Sequence, residues 1–154
     1  MNIAVFPGSF DPITIAHVDI LQRALPLFDK IIVGIGFNSA KQGYLSPEKR
    51  KDIIETVFAK IAKVEVQLYE GLTVEFCKKN EAKFILRGVR SVGDFEYEKP
   101  IAQINQTLMP EIETVLLFSK PEYGAISSTI IRDILRHGGD VSKFLPADAM
   151  SFLK

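Results

Sequence analysis

Five short apolar runs, each followed by a stretch with helical periodicity, predict an α/β protein built on a doubly wound, five-stranded parallel sheet. Three observations carry the prediction. The runs at 3–6 and 31–35 are apolar throughout, and the second is rich in β-branched residues, as strands covered on both faces are. Strand and helix alternate in short succession, which calls for parallel pairs joined by right-handed crossovers. The residues that look chemical fall just after the strands, where such a sheet binds its ligands at the reversal of strand order.

The elements follow in order. Residues 3–6 form the first strand, Pro7 and Gly8 end it, and a helix starts near Thr14 or Ile15. Residues 17–28 place Val18, Leu21, Ala24, Leu25 and Phe28 on one helical face, with Pro26 near its end. Residues 31–35 make the second strand, closed by Gly36, and a loop over 37–45 carries Lys41. Ser46-Pro47-Glu48 is a helix start, with Ser as N-cap, Pro at the first helical position and a carboxylate in the first turn. That helix presents Ile53, Ile54, Val57, Phe58 and Ile61 to a core. Residues 64–68 alternate as a third strand, and Gly71-Leu72-Thr73-Val74 turns into a short helix through Cys77. Residues 84–86 are the fourth strand, whose end delivers Arg87-Gly88-Val89-Arg90. A long helix from Val92 or Asp94 to Leu108 is stopped by Pro110. Residues 114–118 are the fifth strand. Beyond it a helix opens at Ser127-Ser128-Thr129 and ends at His137-Gly138-Gly139, and a last helix spans 146–153.

A chain of 154 residues with 47% hydrophobic content supports one domain, residues 1–154, with a substantial core. Nineteen basic residues balance nineteen acidic ones, so no bulk pull on nucleic acid is expected. The lone Cys77 excludes an intrachain disulfide, Met1 leads into a strand in place of a basic-then-apolar signal segment, and no apolar run reaches membrane-spanning length. A cytoplasmic setting is the expectation.

A strand that opens through Gly8 and Ser9 into a helix N-terminus carrying His17 offers what a phosphate needs. It supplies close backbone approach, a hydroxyl donor, the positive end of a helix dipole and an imidazole that can become cationic. Ordinary turn and capping chemistry would also use these residues. Arg87 and Arg90, around Gly88, make either a phosphate clamp or surface ion pairs with Asp94, Glu96 or Glu98. Ser127, Ser128 and Thr129 are either a second anion site or an N-cap with first-turn neighbours. Asp11, Asp19 and His17 are not spaced to hold a metal. Asp19 fits a first-turn dipole partner, His137 a helix C-terminal cation and Cys77 a small core residue.

The stretch Gly8-Ser9-Phe10-Asp11-Pro12, with Thr14 and His17 behind it, resembles the first signature of the nucleotidyltransferase superfamily that shares its core with class I aminoacyl-tRNA synthetases. Ile126-Ser127-Ser128-Thr129, with Ile131 and Arg132, resembles the motif that closes the same active site. Between them, Gly71 to Val74, Leu86 to Arg90, Asp94 to Glu98, Asn105 and Leu108 to Glu111 are similar to the branch whose members adenylylate 4′-phosphopantetheine. The likeness runs from Ile3 to about Pro146. It implies a Rossmann-like nucleotidyltransferase fold and an enzyme that moves AMP from ATP to 4′-phosphopantetheine, giving dephospho-coenzyme A and pyrophosphate. It implies magnesium brought with ATP, and assembly as a homohexamer.

By the same resemblance His17, Lys41 and Arg90 are catalytic. ATP falls to Ser9, Phe10, His17, Gly88, Val89, Arg90, Glu98, Tyr123, Gly124, Ala125, Ile126, Ser127, Ser128 and Thr129. The acceptor falls to Ser9, Lys41, Leu72, Thr73, Arg87 and Asn105. Three places depart from the family pattern: Ala16 stands for Gly, Ser9 for the commoner Thr, and Tyr123-Gly124-Ala125 for an aromatic-Ser-aromatic run. The alternatives are a sister nucleotidyltransferase acting on another phosphate, and a silent nucleotide- or coenzyme A-sensing module.

Overall fold

The computed structural model describes residues 1–153; Lys154, the end of the single domain expected from the sequence, lies outside them. Five strands form one sheet: β1 (Ile3–Gly8), β2 (Lys30–Gly36), β3 (Val64–Tyr69), β4 (Phe84–Val89) and β5 (Glu113–Phe118). Every pairing is parallel and the order is β3-β2-β1-β4-β5. The chain builds outward from β1 to β3 on one side, then crosses to β4 and β5 on the other. The order therefore reverses between β1 and β4, and a crevice opens beyond their carboxyl ends.

Successive side chains of a strand point to opposite faces, so each inner strand feeds two cores. Ala4, Phe6, Ile31, Val33, Ile35 and Leu86 join one apolar layer with Leu21, Ile54 and Ile131. Val5, Ile32 and Ile85 join the other with Val74, Phe76, Cys77 and Ile112. Helices α1 (Ile15–Ala24), α2 (Pro47–Val57) and α5 (Ser128–Arg136) cover the first face, and α3 (Thr73–Lys79) covers the second. The remaining helix, α4 (Val92–Leu108), buries only Glu98, and β5 contributes no buried residue. The doubly wound sheet expected from the sequence is present.

Boundaries differ where local chemistry intervenes. Helix α1 stops at Ala24 and residues Leu25–Leu27 tighten into a 3-10 turn, because Pro26 brings no N–H and its ring collides with a preceding carbonyl. Helix α2 ends at Val57, and Ile61 still reaches the core from the turn that follows. The last helix is a 3-10 segment, Ala147–Leu153. Strand β4 continues through Val89, so Arg87 belongs to the strand itself, opposite Leu116.

One contact sets the spacing on the second face. Tyr69 and Phe76 stack with centroids 4.3 Å apart, and a methyl group on Gly34 would fall 2.7 Å from the Phe76 ring. Gly34→Ala is expected to cost about 1–3 kcal/mol through overpacking. The check is a lowered urea midpoint at unchanged m-value.

Candidate active site

The loop after β1 is shaped by its aromatic residue. Phe10 has a left-handed backbone, φ 47, which most side chains avoid. It is held there because its ring is buried edge-on to Phe6 at 5.4 Å and to His17 at 5.0 Å. The strain of order 1–3 kcal/mol is offset by that packing, and it turns the chain into the N-cap of α1.

Thr14 is that cap. Its hydroxyl accepts from the His17 N–H at 3.4 Å, while the Thr14 N–H donates to His17 Nδ1 at 3.0 Å. A backbone N–H can only donate, so Nδ1 carries the lone pair and the neutral ring keeps its proton on Nε2. Burial, then the charges of Arg87 and Arg90, hold the His17 pKa down from 6.5 to about 4. The imidazole at neutral pH is therefore a neutral N–H donor. The cationic form that the sequence left open is opposed by burial and then by the two guanidinium groups in the same neighbourhood.

The depressed pKa has a thermodynamic consequence. Unfolded histidine takes up a proton near pH 6.5 but the folded one only near 4, so stability falls as the pH is lowered between those values and is level outside them. The ring is partly open to the cleft, which limits the loss to on the order of 2–3 kcal/mol. Chemical denaturation at pH 7.5 and pH 4.5 is expected to give a larger drop for the wild-type chain than for His17→Gln, by that amount.

The arginines form the ion pairs that their sequence allowed, and each also holds a backbone carbonyl. Arg87 donates from Nη1 to the Pro7 carbonyl at 2.6 Å, and from Nε and Nη2 to Glu98 Oε1 at 2.9 and 2.6 Å. Arg90 pairs with Asp94 at 3.3 Å, and its Nη1 donates to the Ile126 carbonyl at 3.0 Å. The ion pairs orient the guanidinium groups, and the carbonyl contacts tie the end of β4 to the end of β1 and to the loop before α5.

The tip of α5 forms the N-cap that its sequence allowed. The Ser127 hydroxyl caps the Ile130 N–H, the Ser128 hydroxyl donates to the Pro12 carbonyl at 2.8 Å, and Thr129 Oγ1 accepts from Arg132. All three hydroxyls hold the tip in place. In these contacts Ser127 and Thr129 only accept, so their O–H protons and the first-turn amides, which have no carbonyl a turn back, are what remains for an anion.

These elements share one cleft of about 390 Å³, lined by Ser9, Phe10, His17, Arg87, Gly88, Arg90, Glu98 and Ile126 to Thr129. Ala16, which stands for the family's Gly, is on its wall. A second cavity of about 310 Å³ adjoins it, lined by Ser9, Thr73, Arg87, Glu98 and Asn105. Arg87, Glu98 and Tyr97 line both. Lys41 is exposed in a third cavity of about 810 Å³ that shares Ser9 with the other two. Val89, the last residue of β4, is buried; Leu72, Tyr123, Gly124 and Ala125 line none of the three.

Asp19 lies one turn into α1, beyond its first turn, and pairs with Arg23 at 2.9 Å and Lys120 at 3.4 Å. His137 caps the C-terminus of α5, its Nδ1 on the Asp133 carbonyl at 2.8 Å. Burial pushes the Cys77 thiol up to about 12, which removes it from nucleophilic chemistry at neutral pH. Sequence reasoning missed two contributors. Thr14 was legible as a capping box, a Thr three residues before the side chain that answers it. Tyr97, an exposed helix residue, carried no such signal.

A parallel sheet whose switch point holds a neutral histidine, two arginines and a helix N-terminus is built for handling phosphates, and residues 5–134 match the cytidylyltransferase-like family. Over 146 residues the chain is 49% identical to the phosphopantetheine adenylyltransferase of Phocaeicola vulgatus, covering 95% of this chain and 96% of that protein. The enzyme of the same name from Flavobacterium johnsoniae is 51% identical, with 95% of each chain covered. The chain belongs to the cytidylyltransferase-like nucleotidyltransferases and, within them, to the phosphopantetheine adenylyltransferase family. A bifunctional NMN adenylyltransferase/ADP ribose pyrophosphatase from Francisella tularensis shares the fold, with a TM-score of 0.73 at 19% identity over 94% of this chain and 44% of its own.

Proposed function

We propose that the chain transfers AMP from ATP to 4′-phosphopantetheine, forming dephospho-coenzyme A and releasing pyrophosphate. The observation that carries the reading is the pair of adjoining cavities, one at the α5 tip and one beneath α4, that meet at Ser9 and Arg87. A triphosphate in the first and a phosphate monoester in the second would face each other at that junction.

The monoester has its second pKa near ~6 and is largely dianionic at neutral pH, so it attacks without a general base. An oxygen of the acceptor phosphate forms a bond to the α-phosphorus while the bond from that phosphorus to the α,β-bridging oxygen breaks, and pyrophosphate leaves with the electron pair. His17 donates Nε2–H to the α-phosphate, where charge builds, and Lys41 approaches the same group. Arg90 and the amides of the α5 tip receive the β- and γ-phosphates. Ser9 and Arg87 orient the nucleophile, and Thr73 and Asn105 bind the rest of the acceptor. Catalysis of this kind is positioning and charge stabilisation.

Magnesium fits as a passenger of the nucleotide. The cleft's carboxylates, Asp94 and Glu98, are engaged by arginines, so triphosphate oxygens and water would supply its ligands. When bound, the ion would neutralise charge on the leaving phosphates. We assign the chain to the cytoplasm and to a homohexamer. No helix of the described residues is long and apolar enough to cross a membrane. Phe95, Ile101, Ile104 and Leu108 of α4 and Phe118 of β5 are exposed, and packing against other copies would cover them. Light scattering would read the mass of the assembly.

The deciding experiment is pyrophosphate release from ATP with 4′-phosphopantetheine, nicotinamide mononucleotide and glycerol phosphate as separate acceptors. Turnover is expected with the first alone; preference for either of the others would overturn the assignment.

A further inference from the structure

Asp11 and Arg50 are each 5% exposed, belong to none of the roles above, and lie between the loop after β1 and the strap of residues 37–45 that carries Lys41. Asp11 accepts the Tyr44 N–H on Oδ2 and the Leu45 N–H on Oδ1, both at 2.8 Å. Arg50 sits 3.5 Å from Asp11 Oδ1, donates from Nε to the Leu45 carbonyl at 3.0 Å and from Nη1 to the Ser9 carbonyl at 3.2 Å. The strap's root is thus held by its amides on one side and its carbonyl on the other. Gly43 lets it close on the pair: a methyl group there would fall 2.7 Å from Asp11 Oδ2 and closer still to Arg50 Nη2.

A buried ion pair is poor evidence of a stability role, since apolar residues of similar shape often serve as well. This one does what an apolar pair could not, because each partner binds the strap's backbone and one also binds the cleft residue Ser9. Its charges cancel, so it adds no net charge to a cavity that already holds Lys41, Arg132 and Arg136. We propose that Asp11 and Arg50 are positioning residues that seat the strap on the β1 loop and so fix where Lys41 stands relative to Ser9 and the reacting phosphates. The kinetic part of this inference rests on the reaction proposed above; the structural part does not.

Two variants of the full chain test it. Arg50→Lys keeps the charge but loses the planar fork, and Gly43→Ala keeps both charges but wedges the strap away. Amide exchange at Tyr44 and Leu45 is expected to quicken at least about tenfold in each variant while β1 and β2 keep their protection. Turnover is expected to fall about tenfold where Lys41 is present and less than about twofold in a Lys41→Ala background, because the pair acts through that lysine. Equal losses in both backgrounds, or exchange that quickens across the whole sheet, would overturn the proposal and leave the pair a general stabilising element. A wild-type chain that fails to adenylylate phosphopantetheine would sink the proposed reaction, and the exchange pattern would then decide the pair by itself.

Discussion

His17→Ala is expected to lower kcat by about 10²-fold or more while the dissociation constant for ATP changes only a few-fold. Bound ATP already carries its charge when it enters, and Arg90 and the α5 tip would meet most of it. What grows during the reaction is the charge on the α-phosphate oxygens as the acceptor approaches. A neutral, preorganised Nε2–H gains most from that increment, since a neutral donor holds the ground state weakly. The Thr14 N–H matters here because it fixes Nδ1 as the acceptor and leaves the proton on the nitrogen free to face the substrate. With the ring's pKa near 4, the kcat profile is expected to show no histidine limb between pH 5.5 and 8. His17→Gln, which keeps an N–H donor, is expected to recover part of the loss. Single-turnover kinetics beside ATP titration would separate chemistry from binding; weakened ATP binding with turnover preserved would make His17 a binding residue alone.

The sheet was readable because apolar runs of strand length leave little choice of partner, and their alternation with helices restricts the topology. Helix ends were less readable: Pro26 shows that α1 must stop but not that a 3-10 turn follows, and α2 stops short of Ile61 although Ile61 stays in the core. Site residues close in sequence, such as Gly8 to His17, announced themselves by spacing. Pairings across the fold did not. Glu98 was expected on the nucleotide; its Oε1 accepts both bonds from Arg87, eleven residues away, and of the α5 hydroxyls Ser128 gives its proton to the Pro12 carbonyl. Tertiary partners decide which atoms of a motif are left free, and a motif does not record them. The protonation state of His17 is of the same kind, since it depends on burial in the folded chain and then on arginines some seventy positions further along.

Arg87→Met is expected to produce two losses that a second substitution can pull apart. The guanidinium touches β1, α4 and both cavities, so acceptor kcat/KM should drop on the order of 10²-fold as the proposed phosphate contact disappears. The same change strands the Glu98 carboxylate, only 6% exposed, without its partner. Removing half of a buried ion pair costs up to 3–5 kcal/mol, and the 30% exposure of the Arg87 side chain puts this case nearer ~2–3, a fall in Tm of roughly 5–10 °C. Adding Glu98→Gln neutralises the stranded group and should return most of the lost Tm while leaving kcat/KM where it was. Glu98→Gln alone points the other way. It keeps an oxygen for Arg87 to donate to but removes the negative charge that balances it in the empty site, so the guanidinium faces an incoming phosphate with its full charge and the acceptor KM should hold steady or fall. An acceptor KM that rises in Glu98→Gln as steeply as in Arg87→Met would mean that the arginine acts only by holding α4 against β1, and that the phosphate is gripped elsewhere.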